Sequence, residues 1–270
     1  MRKPMSSYLW AVGMQTSLLA FCALYLPRSS VLQEITFLDG EEPISEALSP
    51  LEALTRRPTL TLLALCLGTL SLQTWWSDWL RRWWIDSIIE GAEEVKRREK
   101  KFLTRKRLLA LTRVYGALIL VSLGVYLVLI LLGAPIRSLA VKTYLLALLI
   151  SILTFLPPAY LFGPPSFRGD SASLVKRWTW VRLFAELSSR NPIERALVYP
   201  AVGTVIGSWL GIIAIPLDWD RPWQAWPLTP AYGAIIGYIL SSITALTANS
   251  IDLVQSQNTN TTELPDKPRQ

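Results

Sequence analysis

Residues 207–238 read GSWLGIIAIPLDWDRPWQAWPLTPAYGAIIGY and decide the fold of this chain. Two apolar runs flank a loop, residues 216–227, that holds three tryptophans, three prolines, two aspartates and one arginine. Proline prevents a helix from continuing, and tryptophan favours the headgroup level of a membrane because its ring is apolar and its N–H is a donor. The stretch is typical of two membrane helices joined by a short, rigid loop at the membrane surface.

The whole chain has the composition of a membrane protein. Of its 270 residues, 51% are hydrophobic and 17% are charged, and the mean hydropathy is +0.33. Several apolar runs approach or exceed the ~20 residues that a helix needs to cross a bilayer. We therefore predict an all-α, polytopic helical membrane protein with one membrane domain, residues 1–249, and a disordered tail, residues 250–270. Its six predicted spans are residues 8–26, 59–76, 114–132, 139–162, 193–215 and 230–248.

The distribution of charge predicts an orientation. The net charge is +7, and the basic residues concentrate in three segments that six spans place on one side: the N-terminus, the loop 81–113 and the segment 163–190. The positive-inside rule makes that side cytosolic, so both termini are predicted to be cytosolic. Topology and anionic lipid explain this charge without nucleic acid, which we do not expect as a partner.

The residue types present exclude most catalytic chemistry. There is no histidine, which removes Ser-His and Cys-His nucleophile pairs and the HExxH zinc site. The two cysteines, Cys22 and Cys66, lie in apolar runs and predict no disulfide framework. Asp218 and Asp220 come nearest to a cation site, but no third protein ligand stands near them. We predict no catalytic residue, no metal and no cofactor.

The tryptophan-rich loop is the first candidate contact surface. Trp and Arg are the residue types that dominate the energetics of protein interfaces, and the loop aspartates can pair with its arginine. We interpret the loop as a structural or recognition element that contacts a partner protein or a lipid. Its candidate residues are Asp218, Trp219, Asp220, Arg221, Trp223, Gln224 and Trp226.

Glycines at intervals of four form the second candidate surface. Gly203, Gly207 and Gly211 share one face of the fifth span, and Gly233 and Gly237 repeat the spacing in the sixth. Glycine at this spacing lets two helix backbones approach closely in a membrane. The two glycine faces are predicted either to pack on each other or, for the fifth span, to receive a helix from another protein.

Three further patterns lie in the predicted cytosolic part. Four tryptophans recur at helical spacing where the second span ends. They indicate an interfacial aromatic belt or, alternatively, a docking surface. The basic run 96–107 indicates a topological anchor that attracts anionic lipid, or a regulated lipid switch. Asn191, Pro192 and Glu194 have the types of an N-cap, a first helical residue and a capping-box acid, so a helix is predicted to begin there. The four tryptophans are Trp75, Trp76, Trp79 and Trp83.

Residues 207–238 closely resemble the Pig-F family of glycosylphosphatidylinositol (GPI) anchor biosynthesis. Three earlier segments agree with this resemblance, which covers roughly Val114 to Tyr238: Gly133-Ala134-Pro135, Leu161-Phe162-Gly163-Pro164 and Ser189-Arg190-Asn191. One departure is Lys142, which stands where an acidic residue is usual in the family pattern. Any role of a carboxylate at that point is therefore not transferred to this chain.

The resemblance implies a non-catalytic accessory subunit in the endoplasmic reticulum membrane. Pig-F proteins associate with the large polytopic ethanolamine-phosphate transferases, which place phosphoethanolamine on mannoses of the GPI precursor on the lumenal side. The GPI precursor lipid is a further candidate ligand. Two alternatives remain: a membrane transporter or lipid carrier, which predicts ionisable residues inside the spans, and a lipid-modifying enzyme, which the missing histidine disfavours.

Overall fold

A computed structural model describes residues 5–29, 54–55, 57–88, 107–135, 139–166, 169–217, 219 and 221–262. All regular structure in these ranges is helical. The helices of seven or more residues are α1 (Met5–Tyr25), α2 (Pro58–Ile88), α3 (Arg107–Leu131), α4 (Ala140–Thr154), α5 (Leu156–Phe162), α6 (Ser171–Trp180), α7 (Pro192–Ile212) and α8 (Leu228–Thr262). A turn of 3-10 helix, Leu26–Arg28, follows α1, a π-helical turn, Val181–Ala185, follows α6, and a second 3-10 turn, Pro222–Gln224, precedes α8.

The predicted all-helical membrane fold is confirmed. Helices α1, α2, α3, α7 and α8 are each long and apolar enough to cross a membrane, and α4 and α5 together form a sixth candidate span. The predicted span over residues 139–162 corresponds to this pair, in which α4 and α5 are bent by 42° relative to each other. Pro157 and Pro158 explain the break, since each lacks the N–H that an α-helix needs and crowds the carbonyl one turn earlier.

Two segments predicted without regular structure are partly helical. The helix that carries the second predicted span continues to Ile88, and α3 begins at Arg107, so both ends of the predicted loop 81–113 are helical. Residues 89–106, with most of the basic run 96–107, lie outside the described residues. The predicted disordered tail is helical from residue 250 to Thr262, and residues 263–270 lie outside the described residues.

Polar contacts explain why α8 extends beyond its apolar run. Asn249 Nδ2 donates to the carbonyl oxygen of Pro192 at 3.0 Å, and Arg195 pairs with Asp252 at 2.5 Å. Tyr8 of α1 lies in one buried apolar cluster with Ile193 of α7, and Leu246 of α8 packs against that cluster. The start of α1, the start of α7 and the end of α8 therefore meet at one end of the bundle, which we call the basic end. The opposite end, which carries residues 213–227, is the loop end.

Two of the α2 tryptophans are packed inside the protein, so the prediction of an interfacial belt is wrong for them. Trp76 and Trp83 are buried, with 2% and 9% of their surface exposed. Tyr8 of α1 stacks on Trp83 with ring centroids 5.3 Å apart, and Trp79 stacks between Trp76 and Trp83. The spacing of these tryptophans correctly predicts that they share one face of α2. It does not show that Tyr8, 75 positions before Trp83, packs on that face.

Candidate functional site

The two glycine faces lie against each other, backbone to backbone, in the α7–α8 hairpin. A Cβ atom on Gly207 would stand 2.2 Å from the carbonyl oxygen of Gly233, and one on Gly237 would stand 2.0 Å from the carbonyl oxygen of Gly203. A Cβ atom on Gly211 would stand 2.4 Å from the carbonyl oxygen of Thr229. Van der Waals contact needs well over 3 Å, so none of these positions accepts a side chain without moving a helix backbone. The face of α7 that was a candidate for a partner helix is filled by α8.

The close approach of α7 and α8 leaves an apolar groove beside their contact, which we call the α7–α8 groove. Its volume is about 800 Å³. The glycines give it a floor of backbone, and its walls include Ile206, Leu210, Ile236 and Leu240, which are 51–60% exposed. Trp223 lines it at the loop end. The groove can therefore accept an apolar helix or an acyl chain, and its lining among the described residues has no charged side chain.

Gln224 holds the tryptophan-rich loop to the end of α7. Its Nε2 donates to the carbonyl oxygens of Ala214 at 2.8 Å and Leu217 at 2.7 Å, and its Oε1 accepts from the backbone N–H of Arg221 at 2.8 Å. One side chain thus satisfies three backbone groups that no regular element pairs. Gln224, predicted among the candidate contact residues, therefore also fixes the conformation of the loop.

The loop tryptophans have different surroundings. Trp226 Nε1 donates to Thr143 Oγ1 at 3.0 Å, which ties the loop to the start of α4. Trp219, 56% exposed, meets Trp223 edge to face with ring centroids 5.7 Å apart. Arg221 is exposed, and Asp218 and Asp220 lie outside the described residues. The structure therefore brings Trp223 to the groove and anchors Trp226 inside the bundle.

Replacing Gln224 with alanine is expected to loosen the loop without unfolding the bundle. Each lost hydrogen bond to a backbone group is worth about 1 kcal/mol, and three such bonds are lost. Hydrogen–deuterium exchange should accelerate across residues 213–227 and stay unchanged in α2. The matched variant Trp219→Ala removes an exposed ring from the same loop and should leave the exchange near the wild-type rate. Equal exchange in both variants would contradict the role of Gln224.

At the basic end, the Glu194 carboxylate accepts hydrogen bonds from two residues. Arg182 donates to both carboxylate oxygens, at 2.6 Å and 3.0 Å, and the backbone N–H of Arg190 donates at 2.7 Å. The hydrogen bonds with Glu194 raise the pKa of the Arg182 guanidinium, which stays charged. Asn191 is the N-cap of α7, as predicted, although its own side chain makes no capping bond.

A polar cluster inside the bundle was missed by the sequence analysis. Gln15, Gln73 and Tyr238 are at most 1% exposed and join α1, α2 and α8. Gln15 Nε2 donates to the Tyr238 hydroxyl at 2.7 Å, and this hydroxyl donates to Gln73 Oε1 at 3.2 Å. Amides within apolar runs were the available signal, because polar side chains in membrane helices hydrogen bond across helices. The cluster contains no nucleophile and no charge.

Within the described ranges, no three His, Cys, Asp or Glu residues stand close enough together to hold a metal ion. The arrangement of helices thus provides surfaces for packing: the groove, the loop beside it and the clamp around Glu194.

Comparison with known proteins places the chain among proteins of GPI-anchor synthesis. The family model described as "GPI biosynthesis protein family Pig-F" matches residues 44–246. This match begins upstream of the 114–238 range expected from sequence motifs and so includes α2 and the start of α3. No solved structure matches the chain.

Three curated relatives are similar over part of their length. The human "GPI ethanolamine phosphate transferase, stabilizing subunit" is 34% identical over 42% of this chain and 47% of its own length. The "Glycosylphosphatidylinositol anchor biosynthesis protein 11" of Debaryomyces hansenii is 40% identical over 46% and 49%, and that of Yarrowia lipolytica is 38% identical over 49% and 55%. The chain spans about half the length of these relatives. Because the family model covers three quarters of the chain, the protein belongs to the Pig-F family of GPI biosynthesis proteins.

Proposed function

We propose that this protein is a non-catalytic stabilising subunit of an ethanolamine-phosphate transferase that acts on the GPI-anchor precursor. The observation that carries the proposal is its similarity to the human protein named as the stabilising subunit of such an enzyme. The partner is then a large polytopic transferase. In this proposal the protein is located in the endoplasmic reticulum membrane. Both termini are cytosolic, and the loop end faces the lumen, where phosphoethanolamine is transferred.

The α7–α8 groove supports this proposal as the surface that receives a membrane helix of the transferase. Lipid provides no hydrophobic drive between helices, so association depends on close packing against small residues. The floor of the groove is glycine backbone, and its walls are aliphatic side chains that are half exposed. The loop residues Trp219, Arg221 and Trp223 stand beside its end and would contact the lumenal part of the partner or the GPI precursor lipid. Asp218 and Asp220 remain candidates for the same contact.

The alternative function as a transporter or lipid carrier has less support. The names of the three relatives described above refer to a stabilising subunit and to anchor biosynthesis, and none refers to transport. Purification of the tagged protein in mild detergent, followed by mass spectrometry of the chains that co-purify, tests the proposal directly. A polytopic transferase among them supports it. A protein that stays monomeric at its natural expression level, and that moves lipid in reconstituted vesicles, contradicts it.

Filling the groove is expected to displace the partner while the fold is kept. Ile236→Trp adds an indole to a wall of the groove at a position already 55% exposed, so the hairpin itself needs no repacking. The amount of transferase that co-purifies should fall at least about tenfold, since an interface loses affinity tenfold for each 1.4 kcal/mol. Leu127→Trp is the matched control, because Leu127 is 59% exposed on α3 and does not line the groove. Equal recovery of the transferase with both variants would remove the groove from the interface.

A further inference from the structure

Helix α6 exposes an apolar stripe at the basic end of the bundle. Leu174 and Trp178 of α6, with Val181 at the start of the π-helical turn that continues it, recur at the i, i+4, i+7 spacing that places side chains on one helical face. They are 43%, 67% and 37% exposed, and Val175 beside them is 66% exposed. The surface of a soluble protein seldom presents so many large apolar side chains together. Something other than water is therefore expected to cover this stripe.

The opposite contacts of α6 fix the direction in which the stripe points. Trp180 Nε1 donates to the carbonyl oxygen of Gly163 at 3.0 Å, and its ring lies 5.2 Å from that of Phe155. Ser173 is buried and donates to Asp170 at 2.5 Å. These residues lie on the side of α6 that faces the bundle, so the helix cannot roll and turn Trp178 inward. The stripe is held outward by the fold.

Two observations favour a membrane surface over another protein as the cover of this stripe. Helix α6 begins nine residues after α5 ends, and α7, a candidate span, begins at Pro192. The segment therefore stays near the level at which both leave the bilayer. Residues 171–182 contain three basic residues and no acidic one. Arg182 is paired with Glu194, whereas Lys176 lies on the polar side of α6, away from the apolar stripe, where a basic side chain meets headgroups.

We propose that α6 lies in the membrane interface at the basic end of the bundle and binds anionic lipid there. The rings and aliphatic groups of the stripe, with Trp178 at the centre, enter the acyl-chain boundary. Lys176 lies at the level of the headgroups and attracts negatively charged phosphates. The proposal does not depend on the transferase partner, and a failure of one leaves the other standing.

The depth of α6 can be measured in the full-length protein. Single cysteines are introduced as Leu174→Cys, on the stripe, and Ala172→Cys, on the exposed polar side, in a background of Cys22→Ala and Cys66→Ala. An environment-sensitive fluorophore on each cysteine is then followed in nanodiscs of phosphatidylcholine and phosphatidylserine. Lipids with a spin label near the headgroup should quench the fluorophore at position 174. Aqueous iodide should quench the fluorophore at position 172 instead. Iodide quenching at both positions would overturn the proposal.

The choice of anionic lipid is tested with the same fluorophore at position 174. Spin-labelled phosphatidylserine should quench it at lower concentration than spin-labelled phosphatidylcholine. Lys176→Gln should weaken this preference about fivefold, the usual contribution of one basic residue near an anionic surface. Lys142→Gln is the matched control, because it removes a basic residue at the other end of the bundle. If Lys176→Gln leaves the preference for phosphatidylserine unchanged, the proposal is overturned. It is also overturned if neither the spin-labelled lipids nor iodide quench the fluorophore at position 174 while the transferase is bound, because a protein then covers the stripe.

Discussion

Replacing Gly207 with leucine is expected to separate α7 from α8 and to abolish assembly with a transferase. Even the Cβ atom of the new side chain would stand 2.2 Å from the Gly233 carbonyl oxygen and 2.9 Å from the Cα atom of Gly237. Both atoms belong to helix backbone, so no side-chain rotation relieves the overlap. We expect a loss of about 3 kcal/mol or more in the free energy of unfolding, the upper range for overpacked interiors.

The matched control for Gly207→Leu is Gly124→Leu. Gly124 lies in α3, and a Cβ atom there would meet nothing within 4 Å. Leucine at this position should be neutral or stabilising, because it favours a helix over glycine by about 1 kcal/mol. Thermal unfolding in detergent and recovery of the transferase give the two readouts. If Gly207→Leu unfolds like the wild type and still recovers the partner, the close approach of the two backbones is not required.

The hairpin could be predicted from the sequence because its determinants are local. Intervals of four put Gly203, Gly207 and Gly211 on one face by helix geometry alone, and Pro216 and Pro227 mark the connection between the two runs. The spacing does not show which helix packs against this face of α7. The loop determines this, because Gln224 hydrogen bonds to three backbone groups and holds the loop in the conformation that brings α8 back against α7.

Two of the features that the sequence did not predict depend on contacts between distant residues, and one depends on a pair of neighbouring prolines. Trp76 and Trp83 have the spacing of an interfacial belt, but Tyr8 packs against both. The spacing of residues within α2 cannot show which residues of α1 pack against them. The pair Pro157-Pro158 was visible in the predicted fourth span, and the break in that span follows from it. The polar cluster of Gln15, Gln73 and Tyr238 again joins positions that only the folded chain brings together.

Replacing Glu194 with alanine is the second change expected to have a large effect. Glu194 is 7% exposed, and its loss leaves the backbone N–H of Arg190 without this acceptor and the Arg182 guanidinium without its ion-pair partner, although Arg182 Nη1 still donates to the carbonyl oxygen of Ser188. Breaking a buried pair by removing one partner costs about 3–5 kcal/mol. Since the Arg182 side chain is 22% exposed, water recovers part of this, and we expect a loss of about 2 kcal/mol in the free energy of unfolding. Glu186→Gln, which neutralises an exposed carboxylate near Arg182, should cost under about 0.5 kcal/mol.

A double substitution separates the two roles of Glu194. In Glu194→Leu with Arg182→Met, no charge is left stranded, so the stability should exceed that of Glu194→Leu alone. The backbone N–H of Arg190 still lacks its acceptor, however, so a deficit of about 1 kcal/mol against the wild type should remain. Chemical denaturation of the wild type, Glu194→Leu and the double variant in one detergent gives both quantities. A double variant no more stable than Glu194→Leu would show that Glu194 acts through the cap of α7 alone, with no contribution from its pairing with Arg182.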